Sequence, residues 1–206
     1  SNPQDEVFLV NFNDKAWLGL PEGVGFSADP EQLRKALALS VPQGRTALFD
    51  ALALGLEHLQ TGRFERKTLV VISDGGDNAS RRKFSDVIRK ARESTATIYT
   101  IALFDPDSQE NDIRALARLA RQTGGEHFLL RFPAEVVPTC RQVAQDIRQR
   151  YTMAYVPDST AKKGYRKIQV LASDASGHKL RVRARPGYVP RKSGVDSARI
   201  NSGPEK

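Results

Sequence analysis

Two short segments of this chain carry the residue types that hold hard cations. Gly44-Arg45-Thr46 interrupts the chain just before a helix-forming stretch, and Ser73-Asp74-Gly75-Gly76-Asp77-Asn78 follows its most hydrophobic β-branched run. A hydroxyl and carboxylates in such loops suit Mg2+, which wants near-octahedral oxygen ligands and keeps several waters. Each residue also has an ordinary structural role. Thr46 can cap the helix that follows it, and Asp74 can be a turn residue. The pair Asp74 and Asp77 could hold Mg2+ for phosphoryl transfer, as paired carboxylates do in phosphatases and nucleases. Against an enzyme, the chain has no Ser-His-Asp arrangement, P-loop or nucleophile elbow, and no Gly-x-Gly-x-x-Gly follows a strand. His58, His127 and His178 are isolated from one another, which excludes a zinc motif. The single cysteine, Cys140, lies among Val136, Val137 and Val143 and reads as a buried, inert thiol.

The elements that must position these loops follow from hydrophobic periodicity. Val7–Phe12 reads as a buried strand and Ala16–Leu20 as a second, short one. Asp29-Pro30 opens a helix, with Asp as cap and Pro at the first helical position. Leu48, Leu52, Leu56 and Leu59 recur on one helical face, and Gly62 stops that helix. Thr68–Ile72 lacks polar alternation, which predicts a parallel strand buried on both faces. A helix over about Arg82–Glu93, a buried strand at Thr97–Leu103, a helix Asp112–Thr123 ended by Gly124-Gly125, a short strand Glu126–Leu130 and a long helix Ala134–Gln149 complete the series. This alternation predicts an α/β fold, a doubly wound and mostly parallel sheet. In such sheets ligands bind at the carboxyl ends of the strands, where both candidate loops lie.

The texture changes after Arg150. Three alternating stretches, Tyr151–Val156, Lys167–Leu171 and Lys179–Arg185, with the turn signal Asp174-Ala175-Ser176-Gly177 between the last two, predict a small antiparallel β unit with one wet face. The expected organisation is therefore an α/β domain over residues 1–150, a β extension over 151–190 and a mobile tail over 191–206. The net charge of +8 is segregated: residues 1–150 hold 20 basic and 20 acidic side chains, and residues 151–206 hold 12 and 4. Lys179, Arg181, Arg183 and Arg185 fall on one side of the last predicted strand and read as a solvated face. Few aromatics interleave with the arginines, so no nucleic-acid platform is expected. Arg81-Arg82-Lys83 reads as the solvated start of a helix. No apolar run approaches the roughly 20 residues that span a bilayer.

Gly44-Arg45-Thr46-Ala47-Leu48-Phe49-Asp50-Ala51 resembles the second metal-site segment of von Willebrand factor A domains, and Val70–Asn78 resembles their third. Their order and separation fit as well. Bacterial proteins with a related domain are also similar through Tyr165-Arg166-Lys167-Ile168 and Arg183–Tyr188, so the resemblance covers roughly residues 4–190. It implies a Rossmann-like binding or adhesion domain rather than an enzyme, with a metal-ion-dependent adhesion site. Thr46 would supply a hydroxyl to Mg2+ or Mn2+, Asp74 a carboxylate directly or through water, and Asp77 would orient the loop. An Asp or Glu of a protein partner would complete the shell. An exported or cell-envelope protein is implied too. The family's first metal-site segment, Asp-x-Ser-x-Ser, does not occur in these residues. The expectation is thus a partial site, and a sheet lacking a strand between Val7–Asn11 and Thr68–Ile72, as after truncation or processing of a longer protein. Unpaired backbone at such a gap invites a strand-paired or swapped homodimer. The alternative to metal-assisted capture is a scaffold with a vestigial metal site that binds through its sheet edge or basic strands.

Overall fold

A computed structural model describes residues 4–39, 43–104, 113–153 and 164–189. At the N-terminus, β1 (Val10–Phe12) pairs antiparallel with β2 (Ala16–Leu18), a shorter pairing than the apolar runs predict, with an isolated bridge between Val7 and Ser27 outside it. Helix α1 (Pro30–Ala38) starts as its sequence dictates: Pro30 opens it, and the Asp29 carboxylate accepts the Glu31 N–H at 2.9 Å. Helix α2 (Leu48–Leu59) buries Leu48, Leu52, Leu56 and Leu59, the predicted face.

The parallel sheet follows. Strands β3 (Thr68–Ser73), β4 (Thr97–Leu103) and β5 (His127–Leu130) lie in that order, with Val70 opposite Tyr99 and Ile101 opposite Phe128. Helices α3 (Phe84–Glu93) and α4 (Ile113–Thr123) pack with α2 on one face. Their core joins Leu52, Leu56, Val71, Val87, Ile98, Leu116 and Leu119. A short 3-10 turn at Pro133–Glu135 leads into α5 (Val136–Gln149), which covers the other face through Val143 against Tyr99, Ile101 and Leu130.

Coverage by α5 is incomplete, and this corrects the expectation that Thr68–Ile72 is buried on both faces. Strand β4, in the middle, is buried from Thr97 to Ala102. Strand β3 is buried on one side only: Val71 and Ser73 face the helices, whereas Val70 and Ile72 are 42% and 46% exposed. Helix α5 sits over β4 and β5, and among the described residues no helix covers β3 on that side. The free edge of β3 points the same way. Within the described residues β1 and β3 belong to separate sheets, although both pack on α2, where Gly55 admits Leu69 and Val10. Cys140 is exposed rather than buried, because α5 turns Thr139 and Val143, not Cys140, toward the sheet.

The C-terminal region forms a small antiparallel pair, but a thinner one than the alternation predicts. Strand β6 (Arg166–Lys167) pairs with β7 (Gly187–Tyr188), and a bridge joins Ser173 to Lys179. The Asp174–Gly177 turn forms as expected, with the Gly177 N–H donating to the Asp174 carbonyl at 3.0 Å and Gly177 at φ +83°. Residues 151–153 carry no strand, and residues 154–156 lie outside the described residues, as does the tail 191–206. The basic stretch is not a uniformly solvated face either. Lys179 and Arg181 are exposed. Arg183 instead pairs with Glu126 and Asp146. Arg185 donates to the carbonyls of Ser94 at 2.6 Å, Ala96 at 2.8 Å and Arg92 at 3.4 Å. These guanidiniums hold the returning chain against the α/β core, and that docking competes with regular strand pairing.

Candidate functional site

The carboxyl end of β3 and the N-terminus of α2 meet. The Thr46 N–H donates to Asn78 Oδ1 at 2.7 Å, and the Thr46 carbonyl accepts the N–H groups of Asn78 at 3.0 Å and Ala79 at 3.1 Å. The two segments singled out in the sequence are therefore joined through their backbones. One turn into α2, Asp50 reinforces the junction. Its carboxylate accepts the Arg81 N–H at 2.9 Å and the Arg82 N–H at 3.1 Å, and its own N–H donates to Ser80 Oγ at 3.0 Å. Asp50 and Asn78 are positioning residues that the sequence reading did not single out. The start of Arg81-Arg82-Lys83 is accordingly held by Asp50, not merely solvated.

The N-terminal hairpin fixes the other side. The turn between β1 and β2 brings Asp14 under Gly44-Arg45, where Asp14 Oδ1 accepts both the backbone N–H and the Nε–H of Arg45 at 3.1 Å. Gly44 is required there. Its φ is +83°, and a Cβ would stand 2.3 Å from Asp14 Oδ2. The Asn13 carbonyl accepts the Ala47 N–H at 2.7 Å.

The backbone hydrogen bond from Arg45, then its guanidinium, hold the Asp14 carboxyl below its ordinary value of 3.8. A carboxylate depressed in the folded state supports the fold above its unfolded value and loses that support as pH falls through the lower folded value. The Gly44–Arg45 amide resonances should therefore titrate with a midpoint below 3.8, and Asp14→Asn should abolish the transition. A midpoint at or above 3.8 would exclude this coupling.

Within the loop, Asp74 Oδ1 accepts the Gly76 N–H at 3.1 Å and the Ser73 hydroxyl at 3.4 Å. Ser73 Oγ accepts the Gly75 N–H at 3.1 Å, and Gly75 sits at φ +93°. The turn role of Asp74 is thus real and occupies one of its oxygens. Thr46 does not take the helix-cap role, since the N-cap of α2 is Ala47, which makes no side-chain cap bond. Asp77 stands out for a different reason: its Oδ1 is buried and has no hydrogen-bond partner. A buried carboxylate oxygen without a partner is costly, and a cation would satisfy it. Among the described residues no cluster of three or more His, Cys, Asp or Glu could hold a metal, so an ion here would rely on hydroxyl and water oxygens beside few carboxylates. That donor set fits Mg2+ or Mn2+ better than a soft metal.

The family model for the von Willebrand factor type A domain matches residues 1–135. The chain belongs to this family. Solved structures agree on the fold of this von Willebrand factor type A domain. A von Willebrand factor type A protein from Catenulispora acidiphila superposes with a TM-score of 0.59 at 18% identity over 69% of this chain. The chain spans 33% of that protein, so it corresponds to about a third of its length. An aerotolerance-related membrane protein from Bacteroides fragilis, with multiple mutations to serines, gives 0.56 at 13% identity, covering 71% of this chain and 81% of the other. BatB, a conserved hypothetical protein from Bacteroides thetaiotaomicron, gives 0.54 at 12% identity, covering 71% and 80%. No curated protein matches the sequence. Domains of this family are generally protein-interaction or adhesion modules, and they often bind a divalent metal. No helix among the described residues is long and apolar enough to cross a membrane.

Proposed function

We propose that this von Willebrand factor type A domain is a non-enzymatic protein-binding module. In this reading Thr46 and Asp74 hold Mg2+ or Mn2+, and a partner's Asp or Glu completes the shell. The reading is supported by the junction between Thr46 and Asn78–Ala79, which joins the Thr46 segment to the end of the Asp74 loop. The buried, unpartnered Asp77 Oδ1 in the same loop also supports it. Bound there, the ion would supply a directional positive charge for a carboxylate, while Asn78, Asp50 and Asp14 keep the two loops in register. The histidines favour binding over catalysis. His58 Nε2 meets the Gly25 carbonyl at 2.7 Å, His127 Nδ1 meets Thr100 Oγ1 at 2.9 Å, and His178 Nδ1 meets Asp174 at 3.0 Å. None of these partners belongs to the Thr46–Asp74 junction.

Thermal melting with Mg2+, Mn2+ and Ca2+ against EDTA tests the reading. Metal at about 100 times its dissociation constant should stabilise by about 2.7 kcal/mol, and Asp74→Ala should remove the effect. Equal melting with every metal and with EDTA would sink the metal-assisted reading.

The edge of β3, unpaired among the described residues and with Val70 and Ile72 exposed beside it, favours a second reading: a scaffold that pairs with another strand, including that of a second copy in a homodimer. Sedimentation across a concentration series checks this. A dimer that Ile72→Lys dissociates is expected, and a monomer at all concentrations would exclude self-pairing.

A further inference from the structure

A cavity of 430 Å3 opens between α3, α4 and the C-terminal hairpin, away from the Thr46–Asp74 junction. Phe84 and Ile88 give it an apolar lining, Arg89, Arg92 and Arg118 surround it, and Tyr165 contributes from the hairpin. Among the described residues no acidic side chain lines it. Two of the guanidiniums are oriented by aromatic rings: Arg118 lies 5.9 Å from the Phe84 centroid and Arg92 5.2 Å from that of Tyr165. Arg92 is steadied further by its Nε–H, which donates to Gln122 Oε1 at 2.9 Å. Arg89 reaches Asp86 at 3.4 Å, whereas among the described residues Arg92 and Arg118 make no ion pair.

Helix α4 carries Arg114, Arg118 and Arg121 at spacings of four and three and has no acidic residue of its own. Like charges at that spacing repel, and no acidic side chain of α4 offsets them. We infer that this cavity binds an acidic peptide segment bearing a hydrophobic side chain, with carboxylates on Arg92 and Arg118 and the apolar group against Phe84 and Ile88. Planar guanidiniums suit bidentate carboxylate recognition. The volume lies within the range of pockets that bury a small ligand. The apolar lining selects against a purely charged polymer. This site is separate from the proposed metal-assisted one and requires no metal.

The test is fluorescence anisotropy of the full chain in EDTA, which silences the metal-assisted site, with fluorescein-labelled Glu-Asp-Leu-Phe-Glu-Asp. Arg118→Glu and, independently, Arg89→Glu should each weaken binding about tenfold. Arg141→Glu, with the same charge change at an exposed position of α5 and outside the cavity, should change it by less than about twofold. Replacing Leu-Phe in the probe with Ser-Ser should also weaken binding about tenfold. The inference is overturned by absence of binding at about 1 mM peptide. It is equally overturned by loss in Arg141→Glu that matches Arg118→Glu, by indifference to the Leu-Phe replacement, or by a single-stranded oligonucleotide binding as tightly with the same sensitivity to Arg118→Glu.

Discussion

Gly125→Ala is expected to destabilise the domain by roughly 3 kcal/mol, because a single methyl group would collide with backbone. An added Cβ would stand 1.9 Å from the Ile98 carbonyl oxygen and 2.7 Å from its carbon. Neither atom is the free end of a side chain. Ile98 is fully buried in the middle strand, and its own N–H is held by Thr123 Oγ1 at 2.9 Å. Relief requires moving β4 away from the α4–β5 junction, which unpacks the most buried part of the sheet. For a chain of this size the loss corresponds to a melting shift of roughly 6–12 °C. Gly177→Ala is the control. Unlike Gly125, Gly177 has a positive φ, +83°, but nothing lies within 4 Å of its Cβ position, so about 1 kcal/mol of backbone strain without any collision is expected there. A loss at Gly125 no larger than that at Gly177 would show that β4 relieves the collision at little cost.

Arg185→Ala should cost about 3 kcal/mol, an effect out of proportion to its place in a two-stranded appendage. Its guanidinium serves the carbonyls of Arg92, Ser94 and Ala96 where α3 ends and the chain enters β4. Carbonyls at a helix C-terminus lack intrahelical partners, and a cation there also complements the helix dipole. Burial pulls the guanidinium pKa below its ordinary value, the expected sign for a charge removed from water. Removing the side chain leaves Ser94 and Ala96 carbonyls without their charged donor and frees the hairpin from Gly124, whose Cβ position lies 2.6 Å from the Arg185 nitrogen. Arg181→Ala, at an exposed position four residues away, should stay within about 0.5 kcal/mol. Urea denaturation checks both variants. If Arg185→Ala loses less than about 1 kcal/mol, the hairpin is an independent unit whose contacts do not stabilise the core.

The neighbouring Arg183 belongs to a network rather than to a pair. It joins Glu126 and Asp146, and Asp146 also accepts the Tyr99 hydroxyl at 2.5 Å. Burial, reinforced by Asp146, pushes the Tyr99 hydroxyl up to about 12, so the phenol remains a donor at neutral pH. Through this network the hairpin touches β4, β5 and α5 at once.

Local pattern was enough to reveal most of the α/β order. The four leucines of α2, the Asp29-Pro30 start of α1, the β-branched, non-alternating β4 and the Gly124-Gly125 stop of α4 each depend on neighbours a few residues away, and periodicity or capping encodes such features directly. The two candidate loops were legible for the same reason, since β3 ends and α2 begins at recognisable breaks. Three features were decided only by tertiary structure. The bare side of β3 depends on where α5 comes to rest, more than 60 residues away, and Val70 and Ile72 read like any buried β-branched pair until that placement is known. The exposure of Cys140 turns on the rotation of α5 against the sheet, which valine neighbours in sequence do not specify. Asp14 beneath Arg45, and Arg185 on the carbonyls that follow α3, span separations of 31 and about 90 residues. Their side-chain types announce only charge. A carboxylate or guanidinium takes its role from the backbone donors and acceptors that folding brings to it, and those come from segments no local pattern relates.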